Sequence, residues 1–417
     1  MLFASQTILN WCVLVIAAAL LGHLVHRFTG YPRMLGYTLV GLVGGWLGFG
    51  DLPWPLQGST LLLLEVAVGV SLLLAASQLS LPWLLRQPWL ILQSLGESLL
   101  TLALVAGVLR VLGWDWSVAL AVGVVSMAAS PAVLLRIADD LRASGAVTDR
   151  SLLLATISTL LALLGALVLT VVFLPAAAAA GGGLQFSSAG LGRLLLSVLF
   201  TLLWAALLTA AFWPVLRWQS SRSDTTALYL LAAMVAVCLL AQQWGGSAAL
   251  AFTVAGLLLR NLSPRPLVWP QAFQAANAML NLLMFVLVAS IAAQVGLSLA
   301  LISVVASALL ARLVAKFSAI LLLGNGTAIG WRRQWPVACG QIALSGVALL
   351  MVSGLVQQWS VFNLGVAQQL AAIALPMIAL CEVLGVLLAA SALWRSGDAH
   401  RGVGRAALQR GEKRHDT

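Results

Sequence analysis

Charged residues are scarce in this sequence: they make up 8% of its 417 residues, whereas 62% are hydrophobic. The mean hydropathy is correspondingly high, at +1.04. A water-soluble globular fold needs more polar surface than this composition can supply. The scarcity of charge therefore excludes a soluble globular protein and predicts a chain that crosses the lipid bilayer many times.

Other patterns are also missing, and each absence excludes a class of function. The four cysteines lie within apolar runs, and no Cys or His spacing typical of a metal site occurs. A nucleophile elbow and a phosphate-binding loop are absent as well. The net charge of +10 is spread over the loops, without a basic stripe and interleaved aromatics. We therefore expect no enzymatic activity, no metal or other cofactor, and no nucleic-acid partner.

What the sequence does contain is a series of long apolar runs. Runs of about 20 residues are long enough to cross a bilayer as helices, and here they predict an all-α membrane protein with about thirteen transmembrane helices. The predicted spans are 6–26, 33–50, 58–79, 88–112, 116–138, 150–174, 191–216, 225–243, 247–262, 272–295, 298–323, 334–356 and 366–394. The first run has no basic residue before it and no small-residue cleavage site after it, so we interpret it as a retained span and not as a signal peptide.

The basic residues predict the orientation of these spans. With the N-terminus outside, most of the 22 Lys and Arg residues fall on the inner side. These are Arg27, Arg33, Arg86, Arg136, Arg142, Arg150, Arg217, Arg222, Arg260, Arg265, Arg332, Arg333, Arg395, Arg401, Arg405, Arg410, Lys413 and Arg414. Because inner loops carry an excess of basic residues, the pattern predicts a multi-pass protein of the cell's inner membrane with its C-terminus in the cytoplasm.

The middle of the chain holds a loop of distinctive composition. The stretch from Pro175 to Leu184 is uncharged and of low complexity, which is typical of a linker. Six spans precede it, one bridging span follows, and six more come after, an arrangement compatible with an inverted repeat. We predict a transmembrane domain at 1–396 and a short basic tail at 397–417, close to anionic lipid headgroups.

The fifth span carries Ser130-Pro131 in its apolar run. A proline there removes a helical hydrogen bond, and helices broken at membrane depth are where transporters hold their substrates. The sixth span carries the hydroxyls of Thr156, Ser158 and Thr159, which lie close to the break if the two helices pack side by side. Together with Ser130, these hydroxyls form the predicted ion or substrate site.

Several motifs occur in an order that resembles a known family. They are Pro32-Arg-Met-Leu-Gly-Tyr37 with the glycine-rich run to Gly45, Leu64-Glu65 leading into Gly69–Leu74, Ser130-Pro131, Ala251-Phe-Thr-Val-Ala-Gly256, Arg312 to Lys316, Gly340-Gln-Ile-Ala-Leu-Ser-Gly346, and Cys381-Glu382-Val-Leu-Gly385. With these motifs, nearly the whole membrane part resembles the cation:proton antiporter superfamily, in its branch of Kef-type and sodium/proton exchangers.

This resemblance implies an inverted-repeat antiporter fold with a scaffold and dimerisation region and a mobile core. Two broken helices would cross in that core, the fifth span around Ser130-Pro131 and the twelfth around Ala343–Gly346. The implied partners are a monovalent cation, a proton, the lipid bilayer and a second copy of the chain in a homodimer.

The sequence departs from the family in its sixth span. Family members place one or two Asp residues mid-way along this span, where alignment on Ala155 and Leu161 puts Ser158 and Thr159. A buried carboxylate can bind a cation and a proton in turn. Hydroxyls can coordinate a cation but cannot hold a proton in competition with it. The family's carboxylate mechanism therefore cannot be transferred directly to this chain.

Intramembrane charges are the remaining candidates. Lys316 and Arg312 lie one turn apart on one face of the eleventh span. In the family, a basic residue here pairs with the sixth-span carboxylate. Without that partner, we expect Lys316 to titrate or to hold an anion, with Arg312 as a second candidate. The alternative is that both side chains lie near the inner boundary and extend into water.

Three carboxylates, Glu65, Glu97 and Glu382, also lie within spans. A charge in lipid is costly, so each is expected to face the protein interior, to be protonated or to lie near a boundary. Glu65 and Glu382 match positions where the family often has Glu, with a structural or interface role, whereas Glu97 has no family counterpart. We regard all three as possible intramembrane ion-site carboxylates.

The leading hypothesis is a secondary active transporter that exchanges Na⁺ or K⁺ for protons by alternating access. If Lys316 loses a proton when the substrate arrives, exchange is possible without the Asp pair. One alternative is an anion or small organic acid transporter on the same fold, because two basic residues without an opposing carboxylate make a positive core. Another is a non-transporting membrane subunit that has lost the ion-binding carboxylates.

Overall fold

A computed structural model of the chain describes residues 2–49, 54–175, 184–186, 188–218, 224–263, 267–296, 298–324 and 330–399. Most of the predicted central loop and nearly all of the predicted tail at 397–417 lie outside these ranges. The helices are α1 Leu2–Thr29, α2 Met34–Trp46, α3 Gly58–Ala76, α4 Leu81–Leu85, α5 Pro88–Val111, α6 Trp116–Met127, α7 Pro131–Leu141, α8 Ala146–Val171, α9 Ser188–Trp218, α10 Asp224–Trp244, α11 Ala248–Leu262, α12 Gln271–Ala293, α13 Leu299–Leu323, α14 Trp331–Gly340, α15 Gly346–Trp359 and α16 Leu364–Ser396.

These helices occupy the thirteen predicted spans. Ten stretches of the described chain are long and apolar enough to cross a membrane, and α2, α11 and α15 are shorter apolar helices. The fifth span consists of α6 and α7, the twelfth consists of α14 and α15, and α4 is a five-residue helix in a connection. The prediction of an all-α membrane protein with about thirteen transmembrane helices is confirmed. A small hairpin, β1 (Phe173–Pro175) and β2 (Leu184–Phe186), pairs antiparallel at the two ends of the central loop.

Contacts between helix ends agree with the predicted alternation of direction. On one side, the backbone N–H of Arg33, before α2, donates to the Asp140 carboxylate near the end of α7 (2.9 Å). On the other side, the N–H of Leu56, before α3, donates to the Ser353 hydroxyl in α15 (3.0 Å). We refer to the first side, where Arg27 and Arg33 lie, as the arginine-rich side.

The last described residues bind to the start of α8 on this same side. The Asp398 carboxylate accepts hydrogen bonds from the N–H groups of Val147 (3.1 Å) and Thr148 (2.9 Å). Its backbone carbonyl accepts a further bond from Ser144 (3.0 Å). Because the first N–H groups of a helix lack partners within the helix, Asp398 caps α8 and fixes the end of α16 to it.

The helices pack around two apolar clusters. A smaller one joins α3, α9, α10 and α11 and includes Phe212, Leu230 and Phe252. A larger one joins α5 to α8 and α13 to α16 with α1, α2, α12 and one face of α3. Gly69 of α3 packs directly against the Phe252 ring, so any side chain at this position would clash with it. We call the helices of the smaller cluster the scaffold group and helices α5–α8 with α13–α16 the core group.

Both predicted helix breaks are present, and the two broken helices cross there. The first runs from the end of α6 at Met127 to the start of α7 at Pro131, and the second from Gly340 to Gly346. The backbone N–H of Ser130 donates to the Ala343 carbonyl (2.9 Å), which joins the two breaks. Proline is favoured in the first turn of a helix, so Pro131 both ends α6 and starts α7. The fifth and twelfth spans hold equivalent places in the two halves and run in opposite directions, as an inverted repeat requires.

Candidate functional site

The crossing of the broken helices forms the centre of the site. The hydroxyls of Ser130 and Ser345, one from each break, lie 2.5 Å apart. The Ser130 hydroxyl also accepts a bond from the N–H of Val133 (3.4 Å) and so caps α7. Both serines are buried. The ends of four half-helices, whose last backbone groups lack partners within their own helices, therefore meet around a pair of hydroxyls.

The carbonyls at the C-terminal ends of α6 and α14 are bound by Arg312 from α13. This side chain is fully buried (0% exposed), and all five of its N–H donors are used. Nε binds the carbonyl of Ser126 (3.0 Å), Nη1 binds Ile342 O (2.5 Å) and Cys381 Sγ (3.5 Å), and Nη2 binds Ala128 O (2.8 Å) and Gln341 O (3.3 Å). Since a helix C-terminus carries partial negative charge, Arg312 neutralises both breaks and links them.

Lys316, one turn further along α13, has a different environment. Its ammonium donates to the Met127 carbonyl at the end of α6 (3.1 Å) and forms an ion pair with the Glu97 carboxylate of α5. Both side chains are fully buried. The expectation that Lys316 lacks an opposing carboxylate is therefore wrong, and so is the alternative that it extends into water. The carboxylate comes from the fourth span instead of the sixth.

A pattern in the sequence marks α5 as a helix whose polar face needs partners inside the protein. Gln93, Ser94, Glu97, Ser98 and Thr101 recur at helical spacing along α5, and all of them are buried. A buried polar face on a transmembrane helix must find partners inside the protein. The sequence does not say which helix supplies them, because the Lys316–Glu97 pair joins residues that are 219 positions apart.

The predicted hydroxyls of the sixth span, on α8, divide into two kinds. Thr159 donates to the Ala129 carbonyl in the first break, which confirms that the two helices lie side by side there. Thr156 and Ser158 donate to carbonyls of their own helix, at Leu152 (2.8 Å) and Leu154 (2.9 Å). The structure thus brings Thr159, Ser130, Arg312 and Lys316 to the crossing, whereas the bonds of Thr156 and Ser158 stay within α8.

Glu65 lies away from the crossing, in a cavity of about 640 Å³ between the scaffold and core groups. Its carboxylate accepts a bond from the Gln242 amide of α10 (2.8 Å), and no other charged side chain is among the described residues that line the cavity. Leu163 and Met351 line the core wall, and Gln57 lies exposed at the side opposite the arginine-rich side. The cavity therefore opens to that opposite side. Its inner end is at Leu163, about one turn of α8 away from Thr159.

Glu382 is fully buried on α16, next to Cys381, which contacts Arg312. Within the described part of the chain, neither of its carboxylate oxygens has a hydrogen-bond partner. The Thr38 hydroxyl, which donates to the carbonyl of Met34 (3.1 Å), is the neighbouring polar side chain. Glu382 is therefore a buried carboxylate that is separate from the Lys316–Glu97 pair.

Comparison with known proteins gives a family and a fold. Residues 14–394 match the family model described as sodium/hydrogen exchanger, transmembrane. A structure of the sodium proton antiporter MjNhaP1 from Methanocaldococcus jannaschii at pH 8 superimposes with a TM-score of 0.69 at 14% identity, covering 93% of this chain and 99% of that one. An electron-microscopy structure of the same antiporter gives 0.66 at 17% identity, covering 94% and 97%. No curated protein sequence matches the chain.

Proposed function

The chain belongs to the sodium/hydrogen exchanger family, and from this premise we propose that it exchanges a monovalent cation, Na⁺ or K⁺, for protons by alternating access. It is a multi-pass membrane protein, and we place it in the inner membrane as a homodimer. The arginine distribution supports an outer N-terminus, and the resemblance to the antiporter family supports the dimer.

The observation that carries the proposal is the buried ion pair of Lys316 and Glu97 at the helix crossing. A buried carboxylate that faces a buried ammonium has the two capacities that exchange requires. The carboxylate can hold a metal cation, and the ammonium can release a proton when that cation arrives. This pair takes over the role for which the family uses a carboxylate in the sixth span.

The exchange step follows from charge balance at the pair. A cation that binds the Glu97 carboxylate replaces the Lys316 ammonium as its counter-charge, and the ammonium then loses a proton to the side from which the cation came. After the core has turned to the other side, the cation leaves and the amine takes up a proton there. One cation thus moves in one direction and one proton in the other for each cycle of the pair.

The cavity beside Glu65 supplies a route from one side of the membrane toward the helix crossing. It separates α8 and α15 of the core group from α3, α10 and α11 of the scaffold group, so a movement of the core against the scaffold would close it. Because a single carboxylate is the charged group of its described lining, the cavity attracts cations and repels anions. Anion transport is not proposed, since Glu97 opposes Lys316 and the carbonyls of the helix breaks occupy Arg312, which leaves no free positive group for an anion among the described residues of the crossing.

The test uses purified protein in proteoliposomes loaded with a pH-sensitive dye. A pulse of Na⁺ or K⁺ on one side should change the internal pH in the wild type, and the Lys316→Gln and Glu97→Gln variants should respond like protein-free liposomes. A wild-type protein that inserts and folds but gives no response to either cation would contradict the proposal, and would instead indicate a membrane subunit that does not transport.

A further inference from the structure

The polar face of α5 contains more than the exchange pair requires. Of its five buried polar residues, Gln93 and Thr101 have partners: Gln93 donates to the Ile320 carbonyl (2.9 Å), and Thr101 donates to the carbonyl of Glu97 (2.7 Å). The hydroxyls of Ser94 and Ser98 have no partner among the described residues, and neither has the second carboxylate oxygen of Glu97, Oε2. Three buried oxygen atoms on one helix face are thus left without partners.

Such a group of oxygens is unusual inside a protein. Buried polar atoms are almost always paired, and an unpaired one costs free energy. Ser94 and Ser98 are both 0% exposed and Glu97 is 1% exposed. The cost is offset if the oxygens have a ligand in common. Hydroxyl, carboxylate and carbonyl oxygens are the groups that replace the hydration shell of an alkali cation.

The packing of α5 shows which direction these oxygens face. Helix α13 packs against the arc of the α5 surface that contains Gln93, Gly96 and Glu97. Gln93 and Glu97 bind groups of α13, and a side chain at Gly96 would meet Leu323 of the same helix. Helix α6 covers the arc that contains Leu102, against which Gly123 packs. At 100° per residue, Ser94 and Ser98 lie between these two arcs. Helix α8 packs against α5 as well, and its Arg150 reaches Gln93 at the edge of the α13 arc (3.3 Å). The arc that contains the two serines therefore faces α8.

From this geometry we infer that Ser94, Glu97 and Ser98 form the binding site of the transported alkali cation. The site lies on α5, in contrast to the sixth-span position of the Asp pair. Its ligands are Glu97 Oε2 and the two serine hydroxyls, and the Met127 carbonyl joins them when the Lys316 amine releases it. The inference rests on the proposed exchange function and adds the residues that bind the cation.

Two serine variants test this site, with binding measured separately from transport. Ser94→Ala and Ser98→Ala each remove one oxygen ligand and leave the Lys316–Glu97 pair intact. Each should raise the KM for Na⁺ about fivefold, as expected for one lost polar contact. The matched control is Ser318→Ala on α13, because this serine donates to the Ala315 carbonyl of its own helix (3.1 Å). Its KM should equal that of the wild type.

Binding is read from the increase in melting temperature that NaCl produces in detergent, compared with an equal concentration of choline chloride. The wild type and Ser318→Ala should be stabilised by Na⁺, and the Ser94→Ala/Ser98→Ala double variant should not. If the double variant keeps the wild-type KM and Na⁺-dependent stabilisation, the site on α5 is wrong while the exchange function stands. If the wild type neither exchanges nor gains stability with Na⁺ or K⁺, both the function and the site are overturned.

Discussion

Lys316 and Glu97 form a buried ion pair between α13 and α5, and Lys316 also binds the end of α6 through the Met127 carbonyl. Arg312, one turn away on the same face of α13, contacts four backbone carbonyls and a thiol. Two basic residues on one face thus have separate partners: Arg312 neutralises the helix breaks, whereas Lys316 forms the ion pair on which the proposed exchange rests.

The first prediction concerns the stability of the pair. Removal of one partner leaves a buried charge without compensation, so Glu97→Gln and Lys316→Gln should each lower the free energy of unfolding by about 3–5 kcal/mol. The double variant should lose less than the sum of the two, because neither charge is then left alone. Chemical denaturation in detergent measures all four proteins. Additive losses would show that the two groups do not interact.

The second prediction separates Arg312 from Lys316. Arg312→Lys keeps the positive charge but has three donors in place of five. It should therefore lower stability by about 2 kcal/mol or more, since charge-assisted hydrogen bonds contribute about 1.5–3 kcal/mol each. The pH profile of the remaining exchange should be unchanged. Arg27→Lys, at an exposed site on α1, is the control and should be neutral. A shifted pH profile in Arg312→Lys would place Arg312 in the exchange step.

The sequence predicts those parts of this arrangement that depend on neighbouring residues, but not the contacts between residues that are far apart along the chain. Pro131 ends one helix and starts the next by local chemistry, so the break at Ser130-Pro131 is readable from the sequence. The second break, between Gly340 and Gly346, contains no proline, and only the resemblance to the antiporter family predicts its position. The partner of Lys316 is not readable from the sequence, because no local pattern states that the fourth span packs beside the eleventh.

The side-chain directions on α8 illustrate the same limit. Thr156, Ser158 and Thr159 share one stretch of sequence, which predicts all three hydroxyls at the ion site. Only Thr159 makes its hydrogen bond to the break, because hydroxyls on a helix can also bond to the carbonyl four residues earlier. The sequence alone does not decide between these two bonds.

The third prediction concerns Glu65 and the cavity. The negative charge of Glu65 should raise the local cation concentration at the side opposite the arginine-rich side. Glu65→Gln should therefore raise the KM for a cation supplied from that side about threefold at low salt, with little change in maximal rate. Gln57→Glu, which adds a carboxylate at the rim, should lower the KM. Both effects should vanish at high ionic strength, and a loss of maximal rate in Glu65→Gln would instead indicate a role in the exchange step.

The fourth prediction concerns the contact of α16 with the second break. A side-chain carbon added at Gly385 would lie 2.4 Å from the Ala343 Cα, a clash that no side-chain rotation relieves. Gly385→Ala should lower stability by about 1–3 kcal/mol, the usual cost of overpacking, and reduce exchange. Gly354→Ala on α15 has open space around it and should be neutral or stabilising by up to about 1 kcal/mol. Equal stability for both variants would contradict this packing.

The last prediction asks whether the sixth span can still hold the exchange carboxylate. The Thr159 hydroxyl binds the Ala129 carbonyl, and Lys316 binds the Met127 carbonyl two residues earlier in the same break. A carboxylate at position 159 would therefore lie near the ammonium that Glu97 now neutralises. In a Glu97→Gln background, Thr159→Asp should restore part of the lost exchange and of the lost stability.

The control for this rescue is Thr156→Asp in the same background, because the Thr156 hydroxyl bonds within α8 to Leu152. An aspartate there has no basic partner at the break and should restore neither exchange nor stability. Dye-loaded proteoliposomes and denaturation in detergent measure both quantities. Rescue by Thr159→Asp alone would mean that the site requires one carboxylate beside Lys316 and accepts it from either helix. No rescue in a folded double variant would mean that the exchange needs the carboxylate on α5, together with the other oxygens of that face.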